Sequence, residues 1–235
     1  MMLSVCIATY NGEKYISQQI SSILNQIELT DELLISDDNS TDKTLEIIKN
    51  LNDPRIKLYN NNFKSPIKNF EFLIDNCNGD LIFLSGQDDI WDHKKVTMHL
   101  DEYNKDQSTG LVISDIQLID KNGLSINKKF FNKKFSSSWI NNIFSNNYIG
   151  CSISFRSTLK NYILPFPKNL PMHDWWIGVI ASMFSNVIYI NEKLVFYRIH
   201  ENNFTSKNKY SLLKKIQMRV RVCVYILIRI LKFKF

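Results

Sequence analysis

Two adjacent carboxylates, Asp88 and Asp89, follow a short apolar run at positions 81–84. Such a run is typical of a buried strand, and open α/β sheets bind ligands at the carboxyl ends of their strands. Neighbouring acids repel each other unless a cation lies between them, and oxygen ligands of this kind suit Mg²⁺ or Mn²⁺. Alternatively, the pair caps a helix that begins near Trp91, since Asp is favoured at helix N-termini. The residues alone leave both interpretations open.

The elements that must position these acids follow from hydrophobic periodicity. Apolar, β-branched runs predict strands, and apolar residues at helical spacing predict the helices between them. The predicted strands are residues 3–9, 32–36, 56–59, 80–84 and 111–118, and the predicted helices are 15–24, 45–51, about 70–79 and 91–103. This alternation predicts an α/β fold, with a mostly parallel, Rossmann-like sheet covered by helices on both faces.

The ends of parallel strands meet at one edge of a sheet. We therefore expect Tyr10, the pair Asp37-Asp38 and the pair Asp88-Asp89 to lie near one another. After residue 120 the pattern loosens. The later predictions are a polar loop, a strand, an apolar helix and a bent strand or strand pair, at residues 121–138, 150–155, 173–184 and 187–197.

The composition restricts the class of protein. A chain of 235 residues, 44% of them hydrophobic, can bury a full core as one large domain or as a domain with an appendage. The four cysteines are scattered without a CxxC pair, which favours reduced core thiols over a disulfide framework or a zinc site. The first residues lack a basic segment and a small-residue cleavage site, so we expect no signal peptide.

The net charge of +6 is unevenly distributed. Residues 202–235 contain nine Lys or Arg and no Asp or Glu, which leaves 20 basic and 23 acidic residues, a net charge of −3, in the rest of the chain. The basic character therefore belongs to the carboxyl-terminal tail. For that reason we do not expect the protein to bind nucleic acid.

Four motifs in order carry a resemblance to a known family. They are Val-Cys-Ile-Ala-Thr-Tyr-Asn-Gly at 5–12, Ile-Ser-Asp-Asp-Asn-Ser-Thr-Asp at 35–42, Gly-Gln-Asp-Asp-Ile-Trp at 86–91, and His-Asp-Trp-Trp at 173–176 with Tyr-Arg-Ile-His at 197–200. In combination, the chain resembles glycosyltransferase family 2, inverting enzymes with the GT-A fold, and in particular a rhamnosyltransferase-like branch. The resemblance implies a GT-A domain at residues 1–204 and a separate tail at 205–235.

The resemblance also implies a nucleotide pocket. Either Asp38 or Asp37 would accept a hydrogen bond from the N–H of uracil or thymine, although Asp37 could instead serve loop and helix-cap chemistry. Lys68 matches a basic position near the nucleotide, or is an ordinary solvated lysine. The other nucleotide-binding residues implied are Thr9, Tyr10, Asn11, Asn69, Gln87 and Asp88.

A metal site is implied by the third motif. Asp88 matches the second acid of the family's Asp-x-Asp motif and would hold Mn²⁺ or Mg²⁺ against the departing diphosphate. Gly86 stands where the family has the first acid. We expect Asp89 and His200 to compensate as further metal-site residues, with weaker metal selectivity.

Asp174 matches the family's catalytic base, which takes the proton of the acceptor hydroxyl. It could also be the N-cap of the following helix, and both roles are compatible. We expect the positive end of that helix to lower the pKa of Asp174. The residues assigned to the acceptor or to the transferred sugar are Trp91, Gly150, Cys151, His173, Trp175 and Arg198.

The tail, residues 205–235, mixes apolar and basic residues. Its longest uncharged stretch, 222–228, is far shorter than the roughly 20 residues that span a bilayer. The pattern is typical of a basic amphipathic helix lying on anionic lipid. The alternative is a helix packed on the body or on a second subunit, so homo-oligomerisation stays open.

These observations predict a metal-dependent inverting glycosyltransferase at the cytoplasmic face of the membrane. It would move a sugar from a UDP- or dTDP-linked donor to a hydroxyl of a bacterial surface glycan, such as capsule or lipopolysaccharide O-antigen, built on a lipid carrier. Two other classes remain. Gly86 could mark a non-catalytic nucleotide-binding partner in a transferase complex, and a metal-dependent nucleotide hydrolase would use similar acids.

Overall fold

The structure, a computed structural model, describes residues 1–128, 130, 135–201 and 211–233. Its eight-stranded sheet has the order β3-β2-β1-β4-β7-β6-β8-β5. The strands are β1 (Leu3–Thr9), β2 (Glu32–Asp37), β3 (Ile56–Asn60), β4 (Leu81–Ser85), β5 (Ile90–Trp91), β6 (Thr109–Ile119), β7 (Ile153–Arg156) and β8 (Asn186–Arg198). The helices are α1 (Ile16–Leu24), α2 (Thr44–Asn50), α3 (Pro66–Asn76), α4 (Lys95–Lys105), α5 (Trp139–Phe144), α6 (Lys160–Ile163), α7 (His173–Phe184) and α8 (Leu212–Phe233).

The amino-terminal half of the sheet is parallel, as the sequence predicts. β1 lies between β2 and β4, and β2 also pairs with β3, all in parallel. Side chains alternate between two cores along β1, with Val5 and Ile7 in one and Cys6 in the other. Helices cover both faces, which explains why these strands are apolar throughout. The ends of β1, β2 and β4 therefore bring their loops together.

The other half of the sheet combines antiparallel pairings with the parallel pairing of β6 and β8. β7 is antiparallel to both β4 and β6, and β5 is antiparallel to β8. β8 is a single long strand that runs parallel to β6 with register shifts near Asp115. The predicted bent strand at 187–197 is confirmed, and the strand-pair alternative is wrong.

Two element predictions need correction. The helix predicted at 91–103 begins only at Lys95, because Trp91 pairs with Val195 of β8 in a short strand. Between them, Asp92 accepts a hydrogen bond from the main-chain N–H of Lys94 and shapes a turn. The strand predicted at 150–155 begins at Ile153, because residues 150–152 form a 3₁₀ turn.

The tail of the chain forms α8, which packs on the body. The predicted boundary between residues 204 and 205 lies outside the described residues, as do parts of the predicted loop at 121–138. Val222 and Ile226 of α8 are buried, and the Arg229 guanidinium donates to the main-chain carbonyls of Leu164 and Pro165, at 2.6 Å each. Within the described parts of the chain, no helix is both long and apolar enough to cross a membrane.

Candidate active site

One cavity of about 710 Å³ opens at the carboxyl ends of β1, β2 and β4 and reaches the amino end of α7. It brings together predicted residues from all four motifs. Those that line it are Thr9, Tyr10, Asp38, Asn69, Gln87, Asp88, Asp89, Gly150, Cys151, His173 and Asp174. The expected convergence of strand ends therefore produces a real concave site.

The loop after β1 is joined to the loop after β4 through Gln87. Its Oε1 accepts hydrogen bonds from Thr9 Oγ1 at 2.6 Å and from the main-chain N–H of Tyr10 at 2.8 Å, while its Nε2 donates to the Tyr10 carbonyl. The Tyr10 side chain is 56% exposed. An aromatic ring held at the rim of a cavity can stack on a planar base.

The two acids after β2 have different surroundings. Asp37 is buried and accepts a hydrogen bond from the main-chain N–H of Ser40 at 2.8 Å, so it shapes the loop and lies outside the cavity lining. Asp38 lines the cavity and accepts hydrogen bonds from the main-chain N–H groups of Lys64 and Ser65, at 2.8 and 2.9 Å. Of the two alternatives, Asp38 is therefore the acid that a nucleotide in the cavity could contact.

Two other predicted nucleotide residues lie outside the cavity lining. Lys68 is exposed on α3, and Lys64 lines the cavity in its place. Asn11 accepts a hydrogen bond from the main-chain N–H of Thr41 at 2.9 Å and so joins two loops. Asn69 lines the cavity and donates to the Ser65 carbonyl at 3.0 Å.

Asp88 lies at the cavity with His200 beside it. The Nε2 of His200 is 2.7 Å from Oδ2 of Asp88. Gly86 has no side chain to offer, and a Cβ added there would lie 2.7 Å from Oδ2 of Asp89 and 3.1 Å from Oδ1 of Asp88. Both carboxylates therefore crowd the position of the missing first acid.

The donor set at Asp88 fits a cation that substrate phosphates also bind. Mg²⁺ is usually held by one or two carboxylates together with phosphate oxygens, and imidazole is a common ligand of transition metals. Asp88 supplies a carboxylate, and His200 supplies an imidazole. Among the residues that the structure describes, no cluster of three or more His, Cys, Asp or Glu side chains could enclose a metal alone. Substrate would thus have to complete the coordination.

Asp89 is the buried neighbour of Asp88. Its Oδ1 accepts a hydrogen bond from the main-chain N–H of Arg198 at 3.1 Å, and the Cys151 thiol also interacts with it. Burial, followed by the charge of Asp88, raises the pKa of Asp89 to about 8. Both causes favour the neutral carboxyl group. This makes Asp89 a weaker candidate for direct metal binding than Asp88.

A buried lysine, which the sequence analysis did not identify, supports this part of the site. Lys95 is fully buried, donates to the Cys151 carbonyl at 2.6 Å and lies 3.7 Å from the centre of the Trp91 ring. Burial lowers its pKa to about 7. A lysine at the start of a helix looks like surface in the sequence, so only the packing of α4 on β8 could reveal it.

Asp174 lies at the first turn of α7. Its Oδ1 accepts a hydrogen bond from the main-chain N–H of Trp175 at 2.6 Å, and its Oδ2 from that of Gly150 at 3.1 Å. Burial nevertheless raises the pKa of Asp174 to about 6. The expectation that the helix end lowers this pKa is therefore wrong, because desolvation outweighs the opposing hydrogen bonds.

His173 lies beside Asp174 in the cavity wall. Its ring stacks on Phe70 with the ring centres 4.1 Å apart, and neither ring nitrogen has a hydrogen-bond partner among the described residues. Burial lowers the pKa of His173 to about 3, so the ring is neutral at physiological pH. Gly150 permits this arrangement, since a Cβ there would lie 3.0 Å from His173 Nε2.

Three residues assigned to the acceptor or sugar are buried outside the cavity lining. Trp91, in β5, is 3% exposed, and Trp175 is 7% exposed with its indole N–H donating to the Asn142 carbonyl. Neither ring can stack on a sugar in this arrangement, which corrects that prediction. Arg198 is also buried, and its Nε donates to the Asp88 carbonyl at 2.8 Å. It supports the loop that carries Asp88.

Comparisons with known proteins assign the chain to a family. The family model described as Glycosyl transferase family 2 matches residues 4–163. The dTDP-rhamnosyl transferase RfbG of Shigella flexneri is 30% identical over 224 residues, which cover 86% of this chain and 74% of that protein. The chain therefore belongs to glycosyl transferase family 2, and it is a glycosyltransferase.

Two further comparisons bear on substrate and fold. The UDP-Glc:alpha-D-GlcNAc-diphosphoundecaprenol beta-1,3-glucosyltransferase WfgD of Escherichia coli is 27% identical over 219 residues, 91% of this chain and 83% of that protein. A crystal structure of S. aureus TarS in complex with UDP-GlcNAc superposes with a TM-score of 0.78 at 20% identity, covering 97% of this chain and 67% of that one. The expected GT-A fold is thereby confirmed.

Proposed function

We propose that this glycosyltransferase inverts the anomeric centre as it moves one sugar from a nucleoside-diphosphate donor to a hydroxyl of a bacterial surface glycan. One observation carries the proposal. A single cavity has Asp88, a group suited to a metal-bound diphosphate, and Asp174, a group suited to accept a proton. Donor and acceptor can therefore meet between the two carboxylates.

At the donor side, the chain's own groups position the nucleotide and the diphosphate. Tyr10 and Asp38 offer a ring face and a hydrogen-bond acceptor to the base. Asp88 and His200 would hold Mn²⁺ or Mg²⁺, which when bound neutralises charge on the departing diphosphate. Arg198 supports this arrangement through its hydrogen bond to the Asp88 carbonyl.

At the acceptor side, Asp174 is the proposed general base. The acceptor oxygen attacks the anomeric carbon from the face opposite the diphosphate, so a new C–O bond forms while the bond to phosphate breaks. The acceptor proton passes to a carboxylate oxygen of Asp174. A pKa of about 6 leaves most of the carboxylate ionised at pH 7, yet makes it a stronger base than an exposed aspartate.

The relatives support a donor and an acceptor class. Their names specify dTDP-rhamnosyl transfer in Shigella flexneri and transfer of glucose from UDP-Glc to a diphosphoundecaprenol-linked sugar in Escherichia coli. We propose that this chain uses a dTDP- or UDP-linked sugar and a lipid-linked acceptor, at the cytoplasmic face of the membrane. Both nucleotides remain candidates because the cavity offers contacts that uracil and thymine share.

Gly86 supports a second candidate, a non-catalytic nucleotide-binding partner. A Cβ at residue 86 would lie 2.7 Å from Oδ2 of Asp89, so the usual first acid would require the Asp89 side chain to shift. This candidate requires nucleotide binding without transfer. The enzyme proposal requires both.

A transfer assay separates the two. Purified protein is incubated with Mn²⁺, UDP-glucose or dTDP-rhamnose, and an undecaprenyl-diphosphate-linked acceptor, and the product is followed by mass spectrometry. We expect transfer from one donor, and a loss of roughly 10²–10⁴-fold in rate for Asp174→Asn with nucleotide binding retained. Nucleotide binding without transfer by the wild type, for any acceptor tested, would favour the partner.

A further inference from the structure

Helix α8 presents apolar residues on two opposite sides. One side packs on the body through Val222 and Ile226, which are 2% and 3% exposed. At the end of that side, the Phe233 ring lies 4.4 Å from the centre of the Tyr162 ring. Arg229, on the same side, donates to two main-chain carbonyls of the body. These contacts account for one side of the helix.

The opposite side is an exposed apolar stripe. Its side chains are between 47% and 67% exposed, and they are Leu213, Val220, Val224, Leu227 and Leu231. At about 100° per residue, positions separated by seven, eleven, fourteen and eighteen residues fall on one side of a helix. The stripe therefore runs along almost the whole helix, a length of roughly 30 Å. Large apolar surfaces of this kind mark interaction sites.

A line of cations borders the stripe. Lys214, Arg221 and Lys232 are exposed and fall within about 20° of one another around the helix axis. No Asp or Glu occurs anywhere from residue 202 to 235. Long basic side chains beside an apolar face can keep their charges among lipid phosphates while their stems cover acyl chains.

We propose that the stripe on α8 lies in the surface of an anionic lipid bilayer while the opposite side of the helix holds the catalytic body. Charge complementarity selects this occupant. A second copy of α8 would offer these cations no carboxylate partner, because residues 202–235 contain no Asp or Glu. Each Lys or Arg near an anionic membrane instead contributes favourably.

The two-sided helix would also orient the active site. Arg229 anchors α8 to the loop before α7, and Arg219 donates to the Phe144 carbonyl at the end of α5 at 2.7 Å. α7 carries Asp174 at its first turn. Because these hydrogen bonds join α8 to the body, its contact with the bilayer would orient the cavity relative to the membrane. The membrane contact is inferred from α8 itself. Its use, to bring the cavity to a lipid-linked acceptor, rests on the proposed function.

Vesicle flotation tests the proposal with the full chain. The vesicles contain either phosphatidylcholine alone or phosphatidylcholine with phosphatidylglycerol. We expect the wild type to float with the anionic vesicles and to dissociate as salt is added. The triple variant Val220→Gln, Leu227→Gln, Leu231→Gln should bind them roughly tenfold or more weakly, because less apolar area leaves water. The double variant Arg221→Gln, Lys232→Gln should bind the anionic vesicles more weakly than the wild type does. Its binding to phosphatidylcholine vesicles should be unchanged.

Controls keep folding and activity separate from membrane binding. The stripe residues are exposed, so the triple variant should keep the wild-type unfolding midpoint and nucleotide affinity. Equal vesicle binding by wild type and triple variant would overturn the proposal. So would a wild-type dimer, detected by sedimentation, that the triple variant abolishes, because a second copy would then cover the stripe. Vesicle binding without glycosyl transfer would contradict the proposed function and leave this inference standing.

Discussion

Replacing Asp174 by Asn should change how stability depends on pH. Burial raises the pKa of this carboxyl from 3.8 to about 6, a rise of about two units. One unit corresponds to 1.36 kcal/mol, so ionising the group in the folded protein carries a penalty of roughly 3 kcal/mol. The penalty is absent below the unfolded pKa, grows as pH rises through the window between the two values, and is complete above about 6. The Asn side chain of Asp174→Asn does not ionise, so the variant lacks this penalty at every pH.

The assay is urea unfolding of wild type and Asp174→Asn at intervals from about pH 4 to 8. The free energy of unfolding of the variant, minus that of the wild type, should rise by roughly 3 kcal/mol across this range. Asn cannot accept both main-chain hydrogen bonds that Asp174 accepts. That loss is independent of pH, so it shifts the whole difference curve without changing its slope.

The exposed carboxylate Asp101 on α4 provides the matched control. Asp101→Asn removes one carboxylate from the exposed surface and shows how much of the difference comes from the loss of any aspartate. The reasoning would be refuted by a flat curve for Asp174→Asn. A second readout is kinetic: wild-type kcat/KM should fall below about pH 6 as the base becomes protonated.

Three other changes have defined outcomes. Gly86→Asp should lower the free energy of unfolding by roughly 1–3 kcal/mol without metal, because the new Cβ meets Asp89 Oδ2 at 2.7 Å; urea unfolding with and without Mn²⁺ checks this, and an unchanged midpoint contradicts it. His200→Ala should weaken Mn²⁺ affinity in the nucleotide complex roughly 10–100-fold, since the imidazole lies 2.7 Å from Asp88 Oδ2 and would hold the cation together with it; unaltered affinity in calorimetry would remove His200 from the metal site. Arg229→Met should cost about 1–3 kcal/mol and expose α8 to protease, because two main-chain carbonyls lose their donor; a wild-type digestion pattern would contradict it.

Local patterns sufficed for the parallel half of the fold. β1, β2 and β4 are continuous apolar runs that end in polar residues, and such runs predict strands and their shared edge without tertiary information. The resemblance of the motifs to family 2 also indicated Asp88 and Asp174, which the structure places in one cavity. These strands and motifs can be recognised because each depends on residues that are close together in the sequence.

The wrong predictions concern features that depend on residues far apart in the sequence. Trp91 pairs with Val195, more than one hundred positions away, and this pairing converts a predicted helix start into a strand. The helix dipole at Asp174 is visible in the sequence, whereas the desolvation that outweighs it comes from tertiary packing. In α8 the two apolar sides interleave along the sequence, so their separate surroundings appear only in the folded chain.

The most direct test of the central claim is calorimetric titration of UDP and dTDP into wild type and Asp88→Ala, with and without Mn²⁺. The Asp101→Ala variant serves as the control for loss of an aspartate elsewhere. We predict that one nucleotide binds the wild type and the control only when Mn²⁺ is present, and that Asp88→Ala abolishes this binding. Binding that is independent of metal and unaffected by Asp88→Ala would contradict the account. So would the absence of binding of either nucleotide to the folded wild type.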